Sequence, residues 1–243
     1  ATTPAVVAAG VALCQVQTSR VSNGANQTSF TYEKEFPDVV QFFSYPGMTP
    51  GKMTLNFVAA ALTDGSFEFM GKNSARSTVT AMPGTAVASR TFDIMNGATG
   101  VGQLYENGVA MTSTFIKSLN LTVDNVQRSQ EAIGNFGYVG IGSGTLDVKA
   151  TMEVYFSDGA LYDKFIANTY TSLTVGSTDT AGNGYILTLP RVNLSSVKIT
   201  AGAKDQDLMA SFELMALADD ANAVPALRKT IIIDRVGAAL PAL

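Results

Sequence analysis

The side chains able to do chemistry in this chain are carboxylates and lysines, and little else. Asp147, Lys149 and Glu153 fall at every second position of a stretch whose intervening positions are apolar, so all three share one face of an extended strand. Two further pairs, Asp205 with Asp207 and Asp219 with Asp220, lie in turns between apolar stretches. Paired carboxylates can exchange a proton or hold a cation, but either task needs a further group converging on them. No such group is visible beside these two pairs, and they read as solvated turn residues. Asp147, Lys149 and Glu153 read differently. On a monomer their face meets bulk water; in a ring it lines a channel.

The chain has no histidine, no tryptophan and a single cysteine, Cys14. That removes histidine-based acid–base catalysis, Ser-His-Asp and Cys-His nucleophiles, and the common zinc sites. A disulfide within one chain is impossible, and Cys14, inside the apolar stretch Val6 to Val16, reads as an inert packed thiol. Gly137, Gly140, Gly142 and Gly144 superficially match a dinucleotide fingerprint, but a long alternating strand follows them where that motif requires a helix. They read as a β–β loop. The sequons at Asn26, Asn120 and Asn193 come with no secretory signal and read as chance. No catalytic residue, cofactor or metal is expected, and the chain does not read as an enzyme.

Composition narrows the partners. Apolar residues make up 46% of the 243 residues and charged residues only 15%, with a net charge of −4. So few charges suit a protein that hides surface in an assembly, and the absence of any basic run excludes a tight grip on nucleic acid. No segment reaches the ~20 apolar residues that span a bilayer. The run Ala5 to Leu13 is too short and lacks the basic flank of a signal peptide, so it reads as a short packed helix in a soluble protein with no membrane partner.

The elements that must position these side chains are strands. Leu146, Val148, Ala150, Met152, Val154 and Phe156 alternate with Asp147, Lys149, Thr151, Glu153 and Tyr155, which predicts a long strand with one dry and one wet face. Leu119, Leu121 and Val123 predict a second, Leu208 to Ala216 a third, and Thr230 to Asp234 a short buried one. Helix is scarce: Ser157-Asp158 offers an N-cap ahead of Leu161, Tyr162, Phe165 and Ile166 at helical spacing. Pro83-Gly84 and Asn107-Gly108 read as turns in a stretch rich in Ser, Thr, Ala and Gly.

A strand-turn-strand unit occurs twice. Its first copy runs from Pro46 through Met53-Thr54-Leu55-Asn56-Phe57 to Ser66-Phe67-Glu68-Phe69-Met70, and its second from Pro190 through Val197-Lys198-Ile199-Thr200 to Ser211-Phe212-Glu213-Leu214-Met215. The prolines are 144 residues apart, a period too long for a solenoid, whose repeats run to about 50 residues. The expected organisation is a first β unit over 1–75, linker and long loops over 76–112, and a second β unit over 113–243. The first unit lacks the opening strands of the second, which would leave it with an open edge and an uncovered core face.

Many short segments, in order and spacing, carry a resemblance. Phe115 to Asn125, Ala132-Ile133-Gly134, Gly144-Thr145-Leu146, Val154-Tyr155-Phe156, Leu161 to Phe165, Leu189-Pro190-Arg191-Val192 and Ile231 to Arg235 resemble the tail tube (major tail) proteins of long-tailed bacteriophages. Ser29 to Lys34, Tyr45-Pro46-Gly47-Met48 and Phe67 to Lys72 resemble the corresponding segments in the first repeat. The resemblance covers most of the chain and is closer to non-contractile, siphovirus-like tails.

The resemblance implies a mostly β fold: two related tail-tube-type β-barrel or sandwich units with short flanking helices, similar to the tube protein of type VI secretion systems. It implies a structural virion protein that self-assembles into stacked rings, forming the hollow tube through which DNA leaves the capsid. The visible repeat favours a trimer with pseudo-sixfold symmetry, with a true hexamer second. Implied partners are further copies of the chain, the tail terminator, the tape measure and the baseplate or tip proteins, with transient, non-specific passage of DNA. Its place is the virion tail, assembled in the host cytoplasm. The competing reading is a monomeric β-sandwich binding module of carbohydrate or adhesin type, against which the absence of tryptophan platforms counts.

Overall fold

The structure is a computed structural model that describes residues 17–24, 26–84, 94, 95, 97, 104–111, 114–157, 159–179, 183–202, 204, 206–223, 225 and 228–237. The readings made for Cys14 and for the Ala5 to Leu13 helix lie outside them. In chain order the strands are β1 (Gln17–Ser22), β2 (Phe30–Phe36), β3 (Gln41–Val58), β4 (Asp64–Met70), β5 (Ala75–Ser77), β6 (Tyr105–Glu106) and β7 (Val109–Ala110). They continue with β8 (Ile116–Asp124), β9 (Arg128–Gln130), β10 (Gly140–Gly142) and β11 (Asp147–Tyr155). A helix, α1 (Ala160–Ile166), precedes β12 (Thr171–Thr178), β13 (Gly184–Thr200), β14 (Met209–Leu217) and β15 (Ile232–Val236). A 3-10 turn, Pro37–Val39, links β2 to β3.

The fold is mostly β, as the alternation predicts. Among the described residues, thirteen of the strands join one antiparallel hydrogen-bonded network that does not close into a barrel, and β9 and β10 form a separate hairpin. The side-by-side order β4, β3, β8, β11, β14, β13 makes a six-stranded layer. The leading half of β13 leaves this layer to pair with β12 and β15, and β1 completes that group through β15. Inside 76–112, Asn107 and Gly108 turn β6 into β7 with positive φ at both residues (49° and 75°), the geometry of a two-residue hairpin. β6 then pairs with β12.

The same pairing scheme occurs twice. β3 is flanked by β2 and β5 along its leading half and by β4 along its trailing half; β13 is flanked in the same way by β12, β15 and β14. Tyr45 pairs with Tyr32 and Met48 with Phe30, while Leu189 and Val192, each 144 residues later, pair with Leu173 and Thr171. In the trailing halves, Lys52, Met53 and Thr54 oppose Glu68, Phe67 and Ser66, and Ser196, Val197 and Lys198 oppose Glu213, Phe212 and Ser211.

The irregularities coincide too. Pro46 and Gly47 bulge opposite Thr31, and Pro190 and Arg191 bulge opposite Ser172. Proline is tolerated there because a bulged residue owes no ladder hydrogen bond. Gly51 and Ser195 are skipped at the second bulge of each strand. Bulges bend a strand, which lets β3 and β13 each serve two groups of neighbours.

One face of the six-stranded layer is the core. Leu119, Leu121, Val148, Ala150, Met152, Val154, Phe212 and Leu214 are buried there and pack with Leu173 and Val175 of β12, Leu187 and Leu189 of β13, and Leu161 of α1. The helix thus covers the core as its apolar spacing predicts; Gly159, not Ser157, occupies its N-cap position, and Asp158 lies outside the described residues. Burial differs sharply between the two schemes. Phe212 is 1% exposed, whereas its counterpart Phe67 is 61% exposed.

Candidate functional site

The opposite face of the six-stranded layer is mostly polar, with Met215 and Val58 as its apolar members. Antiparallel register places directly opposed side chains on the same face, so each rung can be read from strand to strand. Asp64, Asn56, Asn120, Thr151, Glu213 and Ser196 form one rung. Ser66, Thr54, Thr122, Lys149, Met215 and Asn193 form the next. Glu68, Lys52, Asp124 and Asp147 lie on one side of these, and Ser118, Glu153, Ser211 and Lys198 on the other. The matching rungs beneath are apolar, for example Phe57, Leu119, Met152, Phe212 and Val197.

Asp147, Lys149 and Glu153 sit together on this polar face, all on β11 and all at least partly exposed. Lys149 donates to Asp147 at 2.5 Å. That hydrogen bond, reinforced by the carboxylate charge, holds the Lys149 ammonium above the ordinary lysine range. Glu153 accepts from the Ser118 hydroxyl at 3.4 Å and pairs with Lys117 at 3.9 Å. Asp124 and Asp147 oppose each other directly, with Lys52 opposite Asp124 on its other side.

Taken across the face, Asp64, Glu68, Asp124, Asp147, Glu153 and Glu213 outweigh Lys52, Lys117, Lys149 and Lys198. The result is a wet, mildly acidic surface with interspersed hydroxyls and amides. Sequence reasoning singled out three of its residues as candidates and placed Thr151 beside them, but did not reach the strands on either side. Lys52, Glu68 and Glu213 carry the same alternating signal, but only pairing shows that it belongs to one continuous face.

The remaining candidates do not converge. Asp219 accepts from Asn222 in a local turn (2.8 Å), and Asp205 lies outside the described residues. Among the described residues no three His, Cys, Asp or Glu side chains group as a metal site would require. The glycine series belongs to the β9–β10 hairpin and its approach to β11. Gly137 is there for space as well as for its positive φ of 111°, since a Cβ would lie 2.6 Å from the Lys72 carbonyl oxygen, which accepts from the Tyr138 amide. At the hairpin tip Ile133 and Phe136 are almost wholly exposed.

A cleft of about 410 Å³ opens where β1, β3, β4, β8 and β15 meet, lined by Val21, Met53, Phe67, Val123, Ile231 and Ile233 among others. It carries apolar walls and no convergent charged cluster, so it offers packing rather than chemistry.

Among the described residues, then, the sheet has one dry face, one polar face and no convergent reactive group. A family model described as phage tail tube protein matches residues 1–216. The chain belongs to the phage tail tube protein family. No curated protein matches it. Membership makes this chain a structural component of the phage tail and not an enzyme. No helix among the described residues is long and apolar enough to cross a membrane.

Proposed function

We propose that this tail tube protein assembles as trimers into pseudo-sixfold rings, that the rings stack into a hollow tube, and that the polar face bearing Asp147, Lys149 and Glu153 lines the channel for DNA. Family membership carries the tube. The repeated pairing scheme supports the trimer, because two equivalent units per chain supply two of six positions around an axis. In this reading the first unit spans 1–75 and the second 113–243, with 76–112 between them. The exposed tip of the β9–β10 hairpin contacts the next ring. The tail terminator, tape measure and tip proteins cap and fill the tube, which belongs to a non-contractile tail assembled in the host cytoplasm.

The charge of the polar face supports passage without capture. Duplex DNA carries one negative charge per roughly 1.7 Å of axis, so a basic lumen would hold it through counterion release. An acidic, hydroxyl-rich wall offers no such hold. Replacing Asp147, Glu153 and Glu213 together by lysine is expected to slow DNA ejection from assembled particles, most at low salt, where screening is weakest. Ejection kinetics unchanged at low salt in such particles would remove this face from the lumen.

A further inference from the structure

Asn-Gly dipeptides occur at Asn23, Asn96, Asn107 and Asn183. The pairing is chemically special, because glycine has no Cβ to keep its backbone nitrogen away from the preceding side-chain amide. Asn96 lies outside the described residues. The other three sit in very different surroundings.

Asn23 is half-buried, and its Oδ1 accepts from the Thr230 and Ile231 amides at 2.9 and 3.3 Å, which ties it to the approach to β15. The Asn183 Nδ2 donates to both carboxylate oxygens of Asp179, at 3.1 and 3.5 Å. Its neighbour Gly184 is buried and opens β13, paired with Thr178 on one side and Val236 on the other.

Asn107 and Gly108 are both exposed. Neither the Asn107 side chain nor the Gly108 amide has a hydrogen-bond partner among the described residues. The hairpin around them is minimal, two residues in each strand with Glu106 opposite Val109 at its closing rung. So short a ladder opens at little cost, and opening frees the turn to bring the Gly108 nitrogen onto the Asn107 side chain.

We propose that Asn107-Gly108 is a self-modification site, at which the folded chain converts Asn107 to aspartate and isoaspartate. In the opened turn the Gly108 nitrogen gives its proton to a solvent hydroxide and bonds to the Asn107 Cγ. The Cγ–Nδ2 bond breaks, and Nδ2 takes a proton from water and leaves as ammonia. Water then opens the resulting succinimide at one carbonyl or the other, giving aspartate or isoaspartate, with no change of oxidation state.

Isoaspartate routes the main chain through its own side-chain carbon, which lengthens a two-residue loop that has no room for an added atom. The contacts at stake lie beside it. The Asn107 amide donates to the Ser172 carbonyl at 2.9 Å, and Glu106 accepts from Thr171 at 3.0 Å and from Lys164 at 2.5 Å. Conversion therefore loosens β6 from β12 and from α1.

The test is peptide mapping by mass spectrometry of the intact chain held folded in mildly alkaline buffer, with isoaspartate detected by enzymatic methylation. Asn107 should convert about tenfold or more faster than Asn23 and Asn183, each of which must first give up two side-chain hydrogen bonds. Its rate should rise in proportion to hydroxide, and the β6 amides should exchange faster in the converted chain. Glu106→Gln removes the pair with Lys164 without altering the turn residues; it should speed conversion at Asn107 severalfold and leave the other two sites unchanged. Conversion at Asn23 or Asn183 that matches Asn107 overturns the assignment. So does an Asn107 that stays intact while the free peptide Tyr105–Ala110 converts fully, since the closed hairpin would then shield it.

Discussion

At the scale of single residues, the polar face works through side chains that stay hydrated and charged. Lys149 has its pKa raised by the hydrogen bond from its ammonium to Asp147 and by that carboxylate's charge. A pKa raised on folding contributes stability below the unfolded value and loses it as pH climbs through the folded value, so Lys149 remains a cation throughout the neutral range. Asp147→Asn should lower the Lys149 titration midpoint toward that of an ordinary lysine, as followed by NMR of its ammonium group. An unchanged midpoint would mean that the pair is not formed in solution. Asp147, Lys149 and Glu153 were legible in the sequence because eleven residues of unbroken alternation put them on one face. Lys52, Glu68 and Glu213 were not singled out, since a residue's membership of a shared face depends on which strand lies beside it.

At the scale of elements, sequence repetition and structural repetition agree in register but not in burial. Phe212 and Phe67 hold the same position in their pairing schemes, yet one is buried within the core cluster while the other borders the cleft. Phe212→Ala should cost about 3–5 kcal/mol in urea denaturation of the monomer. Phe67→Ala should cost no more than about 1 kcal/mol, because little of its ring leaves water on folding. Equal costs would mean that Phe67 is covered within the monomer. The paired prolines explain why the repeat was visible at all: each marks a bulge, where the backbone constrains residue type more strongly than packing does. The cap of α1 and the short pairing of β6 with β12 left no comparable mark. Ser157 resembles an N-cap, and two-residue strands are too short for periodicity to register.

At the scale of the whole molecule, the features that look unfinished in one copy belong to an assembly. The open six-stranded layer, the exposed hairpin tip and the low charge content each suit a chain that completes itself with others. Replacing Ile133 and Phe136 together by serine should leave monomer stability within about 0.5 kcal/mol, since both side chains are already in water. The same change should yield single rings that fail to stack, seen by electron microscopy as discs without tubes. Tubes of normal length would exclude the hairpin tip from the contact between rings. The fold class was legible because strand alternation is local. The relation between copies was not, because nothing local to a strand says which of its surfaces meets another chain.

The most direct test of the central claim is cryo-electron microscopy of the assembled protein, averaged without imposed symmetry. The account predicts stacked rings of three chains, pseudo-sixfold around a central hole, with Asp147, Lys149 and Glu153 facing that hole. Rings of six chains with true sixfold symmetry would contradict the two-unit trimer, and a wall that turns these residues outward would contradict the channel.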